Sequence, residues 1–195
     1  LVDSNPLIWR RVIIPADITF KRVHDTIQFS MDWWDRHLYE FEFPQEKLRI
    51  TNDGETYEEF KFYQKKYKDK ALTKRNDPHG MIAHILETTI RQPQTIKIDR
   101  YLEKYKIITY VYDFGDDWQH KIELEKIIDD YEFGYPTILE GEGACPPEDV
   151  GGVPGYEEFL RVWNDQEDAE HEEMRQWGES QYYRPFDIVF RNNLL

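Results

Sequence analysis

Apolar and polar positions alternate most regularly along Tyr110 to Lys126, which reads YVYDFGDDWQHKIELEK. Ile108, Tyr110, Tyr112 and Phe114 fall on one side, and Thr109, Val111 and Asp113 on the other, the period of a strand. Beyond Gly115, Asp116, Asp117 and Trp118 the alternation resumes, with His120, Ile122 and Leu124 on an apolar face and Gln119, Lys121, Glu123 and Glu125 on a polar one. Gly and Asp supply the backbone freedom and local hydrogen bonding of a reversal, so residues 104–128 are predicted as one long antiparallel hairpin.

Elsewhere the pattern predicts a strand at Leu7–Ile14 stopped by Pro15, and a helix capped by Thr19. A staple between Ile18 and Val23 and a stripe of Phe20, Val23, Ile27, Met31 and Trp34 support that helix. A strand follows at His37–Phe43, with Tyr39, Phe41 and Phe43 on one face. Thr56 and Glu59 stand at capping-box spacing before a helix to about Lys68, and Met81–Thr88 reads as a short helix. Residues 95–98 read as a strand or turn. The Gly- and Pro-rich stretch 140–155 reads as a long acidic loop, followed by a helix turning Tyr156, Phe159, Leu160 and Trp163 inward. An acidic surface helix is expected at 169–177, and Phe186, Val189, Phe190 and Leu194 form an expected packing stripe. Together these elements predict a single α+β domain over residues 1–195, with an antiparallel or mixed sheet built from 7–14, 37–43 and the hairpin. Helices are expected mainly on one face.

Four blocks, Ile8–Trp33, His37–Phe43, the DFGDDW hairpin tip and ACPPEDVGGVPGYEEFL (Ala144–Leu160), resemble in order the plasmid pRiA open-reading-frame-three family. They cover somewhat over half of the chain. The resemblance implies an α+β fold, a strand upstream of Leu1, and a link to mobile elements, since some relatives carry a resolvase label. It covers residues 45–94 worst, so that segment is expected to be an insertion. Recombinase catalysis needs a nucleophilic serine among arginines, and Ser4, Ser30 and Ser180 have no such neighbours in sequence.

A chain of 195 residues can bury a real core, and 15% aromatic residues fit a folded protein despite 33% charged residues. The net charge of −14 repels nucleic acid and anionic membrane at long range. Only Lys61, Lys65, Lys66, Lys68, Lys70, Lys74 and Arg75 concentrate positive charge, and their interleaved aromatics are at core-facing spacing, so this segment reads first as a solvated helix face pairing with the protein's own carboxylates. A single cysteine, Cys145, leaves no intramolecular disulfide, which fits a reducing cytoplasm. No run approaches the length of a membrane span.

Two groups carry candidate chemistry. Asp113, Asp116, Asp117 and His120, joined by Glu148 and Asp149 if loop and hairpin tip meet, suit a divalent cation such as Mg²⁺, Mn²⁺ or Zn²⁺, or an acid–base pair. The competing reading makes the aspartates turn caps and His120 a core residue. Trp118, Glu142, Cys145, Gly151 and Gly152 are the expected interaction surface, whose acidic rim favours a basic protein partner. Cys145 as a nucleophile needs a nearby base that nothing local supplies. The reading is therefore a non-catalytic binding or accessory protein without a cofactor; a metal-dependent hydrolase is the alternative and a nucleic-acid accessory role through 61–75 the third.

Overall fold

The computed structural model describes residues 1–68 and 70–194. The strands are β1 (Trp9–Ile13), β2 (Tyr39–Phe43), β3 (Leu48–Thr51), β4 (Thr89–Arg91), β5 (Ile107–Tyr112), β6 (Trp118–Glu123) and β7 (Thr137–Glu142). The helices are α1 (Phe20–Met31), α2 (Gly54–Tyr67), α3 (Met81–Glu87), α4 (Asp99–Tyr105), α5 (Gly152–Asn164), α6 (His171–Ser180) and α7 (Ile188–Asn192). Five strands form one sheet in the order β4-β3-β2-β5-β6, with only β3 and β4 parallel, while β1 and β7 pair by themselves. The chain is thus α+β, with mixed and antiparallel pairing.

The central hairpin forms as the alternation predicts, Ile107 facing Glu123 and Tyr112 facing Trp118. It is shorter than 104–128, because Tyr101, Leu102 and Tyr105 turn the preceding residues into α4, which ends at Lys106 with φ 63°. Helix α1 begins as expected, with the Thr19 hydroxyl accepting from the Arg22 amide at 3.3 Å. Helix α2 is capped one turn earlier than the Thr56 reading: the Asp53 carboxylate accepts from the amides of Glu55 and Thr56 at 3.0 and 3.1 Å. Segment 45–94 supplies β3 and β4 to the main sheet.

Two expectations are corrected at the chain's ends. Residues 7–14 do not join the main sheet; β1 pairs with β7, which lies partly inside the expected 140–155 loop. Gly141 makes this possible, since a Cβ there would sit 2.8 Å from the Trp9 carbonyl oxygen. The C-terminal stripe is not buried: Val189, Phe190 and Leu194 are exposed, and the residue of α7 that turns inward is Arg191. Its guanidinium donates to the Phe29 carbonyl and to Asp32 Oδ1 at 2.7 Å.

The core is aromatic. Phe20 meets Phe41 edge-on at 4.8 Å between ring centroids, and Phe41, Phe43, Tyr110, Tyr112 and Trp118 continue it across the sheet to Tyr156 and Phe159 of α5. Each such phenylalanine contributes about 2 kcal/mol by leaving water. At its centre His24 stacks on Tyr39 at 3.6 Å and bridges Tyr110 and Asp35, each at 2.8 Å. The Asp35 carboxylate can only accept, so His24 Nε2 donates to it and the neutral ring's Nδ1 accepts from the Tyr110 hydroxyl, which in turn accepts from the Gln28 amide.

Candidate functional site

Strand β2 lies antiparallel to β5, Tyr39 opposite Tyr112, and the next register position sets the Asp113 amide on the Leu38 carbonyl at 2.9 Å. His37 thereby reaches the start of the β5–β6 turn. In that turn Asp113 adopts φ 56° and its Oδ1 accepts from the Gly115 amide at 2.9 Å, the capping role expected of a turn aspartate. Its other oxygen, Oδ2, stands 3.6 Å from His37 Nε2.

The loop and the hairpin tip do meet. Asp116 Oδ2 accepts from the Gly151 amide at 3.1 Å, and Gly152, at φ 68°, lies so close that a Cβ would be 2.5 Å from the Asp116 carbonyl oxygen. This seats Glu148 and Asp149 beside His37. Glu148 Oε1 accepts from the Trp34 amide at 2.7 Å and the Tyr112 hydroxyl at 3.0 Å, which leaves Oε2 facing His37 Nε2 at 3.9 Å. Asp149 Oδ1 stands 3.4 Å from the same nitrogen. Ligand atoms of His37, Asp113 and Asp149 all lie within 4.8 Å of one another, so these residues could hold a cation.

The sequence-predicted cluster is therefore brought together in part. Asp113, Glu148 and Asp149 converge; Asp116 is spent on the loop, and Asp117 accepts from the Gln119 amide group at 2.9 Å. His120 stands apart in the core, its ring 5.3 Å from those of Tyr110 and Trp33, and burial draws its pKa down to about 3. His37 is the member that the sequence reading missed. The signal was available in the pairing of 37–43 with the hairpin, which places His37 beside Asp113.

A second group, His24, Asp25 and Asp35, is also close enough to share an ion. Its carboxylates already have a cationic partner, since Lys21 Nζ bonds Asp25 at 2.6 Å and Asp35 at 3.1 Å. Burial lowers the His24 pKa to about 4, although the Asp35 hydrogen bond opposes it.

Across Glu148 from His37 opens a cleft of about 120 Å³, walled by the end of α1, residues 145–148 and the C-terminal segment. Trp34, expected to pack inward, is 52% exposed at its rim, with Arg36 over its ring at 4.7 Å and Tyr182 at 5.6 Å. Arg184 lies over Phe190 at 4.2 Å and bonds Asp32 at 2.7 Å. Of the expected interaction surface, Trp118 is buried at 1% exposure, opposite Tyr112, and does not face solvent. Cys145 lines the cleft, and burial raises its thiol pKa well above the usual value despite nearby Arg10, which disfavours the thiolate that a nucleophile needs. Ser30 and Ser180 do stand in this arginine-lined cleft, yet their hydroxyls donate to the helix carbonyls of Ile27 and Trp177 at 3.0 and 2.6 Å. Glu142 is exposed on β7, where its carbonyl accepts from Arg10 at 2.7 Å.

The basic residues Lys61, Lys65, Lys66, Lys68, Lys70, Lys74 and Arg75 are exposed, and among the described residues they form no ion pairs, contrary to the expected pairing with the protein's own carboxylates. No described helix is long and apolar enough to cross a membrane.

The chain is 32% identical over 179 residues to the uncharacterized protein y4hQ of Sinorhizobium fredii (strain NBRC 101917 / NGR234), covering 91% of this chain and 77% of that one. The crystal structure of a protein of unknown function, MM3350 from Methanosarcina mazei Go1, superposes with a TM-score of 0.70 at 33% identity, covering 96% of this chain and 91% of that one. The model of the plasmid pRiA4b ORF-3-like protein family matches residues 1–192, and this chain belongs to that family.

Proposed function

We propose that the protein is a non-catalytic binding protein that takes a peptide segment of a partner in the cleft beside Glu148. The observation that carries this reading is the rim: Trp34, Arg36, Tyr182, Arg184 and Phe190 stand exposed around a concave surface. Trp, Tyr and Arg are the residue types that dominate binding hot spots, because each combines large rigid contact area with a polar group. The acidic loop favours a basic partner, as the sequence reading had it, but the cleft itself presents arginines within a chain of net charge −14. Arg184 and Arg191 already share Asp32, which leaves Arg36 as the guanidinium most open to a carboxylate on the incoming segment.

Panning a random peptide library against the native protein tests this reading. Acidic and aromatic peptides are expected to be enriched by the native protein and lost with Trp34→Ala and Arg36→Glu. Equal enrichment on all three proteins, or no enrichment on any, overturns it.

A further inference from the structure

We infer that His37, Asp113, Glu148 and Asp149 form a binding site for one divalent transition-metal cation of the Zn²⁺ or Mn²⁺ class. Three separate segments bring the groups together around His37: His37 from the lead-in to β2, Asp113 from the β5–β6 turn, and Glu148 and Asp149 from the loop before α5. The distances from His37 Nε2 to the three carboxylates are 3.6, 3.9 and 3.4 Å. With metal–ligand bonds of roughly 2.1 Å, ligand atoms at the corners of a tetrahedron lie about 3.4 Å apart; those of His37, Asp113 and Asp149 lie within 4.8 Å of one another and Glu148 stands 3.9 Å from His37 outside that trio, so binding draws the carboxylates inward by side-chain rotation.

A crowd of acidic side chains is common on protein surfaces, and an independent observation sets this one apart. Glu148 is 7% exposed, and its Oε2 is buried without a hydrogen-bond partner; His37 Nε2 is buried and unpartnered in the same way. Buried polar atoms are almost always satisfied, and leaving one unsatisfied is costly. Both orphans face one another across a gap too long for a hydrogen bond, and Arg36 Nε reaches Glu148 Oε2 only at 3.8 Å. A cation between them satisfies both at once and offsets the repulsion among three carboxylates. The His24, Asp25 and Asp35 group, whose atoms are bonded to Lys21 and Tyr110, shows what a self-sufficient cluster looks like in the same fold. An imidazole among the ligands favours Zn²⁺ or Mn²⁺ over the all-oxygen preference of Ca²⁺ and Mg²⁺.

The test is calorimetric titration and thermal melting of exhaustively chelated protein with Zn²⁺, Mn²⁺, Mg²⁺ and Ca²⁺. Zn²⁺ or Mn²⁺ is expected to bind one to one and, at about a hundred times its dissociation constant, to raise the melting temperature by roughly 5 to 10 °C. Asp149→Asn and Glu148→Gln are each expected to weaken binding at least about tenfold, the range seen when a metal site loses one supporting group. Asp149 is the more exposed of the two, so its variant reports on binding even if Glu148→Gln folds poorly. Unchanged affinity in Asp149→Asn, a preference for Ca²⁺ or Mg²⁺, or no response to any of the four ions overturns the assignment.

Discussion

His24 and His120 are held neutral by burial, with pKa values near 4 and 3 against an ordinary 6.5. The unfolded chain therefore binds more protons than the folded one below about pH 6.5, and stability falls as the pH drops from there toward the folded values. Thermal melts from pH 7 to pH 4 should show that decline, and it should be shallower in His120→Leu, whose native Nε2 has no partner to lose. A second expected outcome concerns Asp32, the shared acceptor of Arg184 and buried Arg191. Asp32→Asn keeps a side chain tolerant of φ 63° but leaves Arg191 short of a countercharge, and urea denaturation is expected to show a loss on the order of 3 kcal/mol. Residue types alone made Asp113, Glu148 and Asp149 legible as one group. His37 was not, because its membership follows from strand pairing rather than from local spacing.

Regular alternation or a clear stripe made β2, the hairpin, α1 and α5 readable. Short strands were not readable: β3 and β4 span four and three residues, and β7 carries Gly141 within a stretch whose composition reads as loop. Glycine there signals close approach of β1, which no window of sequence contains. The same holds for Gly152, whose left-handed backbone and missing Cβ let the loop lie on Asp116. Gly152→Ala combines strain with a backbone clash and is expected to cost at least about 2 kcal/mol by chemical denaturation. Since that contact also seats Glu148, the variant should loosen the loop selectively, with faster hydrogen exchange at Val150 and Gly151 than in β5.

Across the whole molecule, the net charge of −14 acts against compaction, while most of the ion pairs are exposed and contribute little. Raising ionic strength from about 0.01 M to 0.15 M shortens the screening length from roughly 30 to 8 Å and should raise the melting temperature, whereas dominance of the surface pairs would lower it. The family resemblance and the hydrophobic pattern together made the fold class legible, but the joining of β1 to β7 was not.

That joining has a kinetic meaning. In the β1–β7 ribbon Trp9 faces Glu142, and Arg10 clasps the carbonyls of Glu142 and Gly143, residues 132 and 133 positions away. Closing a loop of that size has to wait for the local hairpin and the β2–β3 turn to shorten the effective span, so the ribbon is the natural last step of folding. Weakening it by Ile138→Val should then accelerate unfolding while leaving the refolding limb of the chevron in place; an equal slowing of refolding would instead put the ribbon in the folding nucleus.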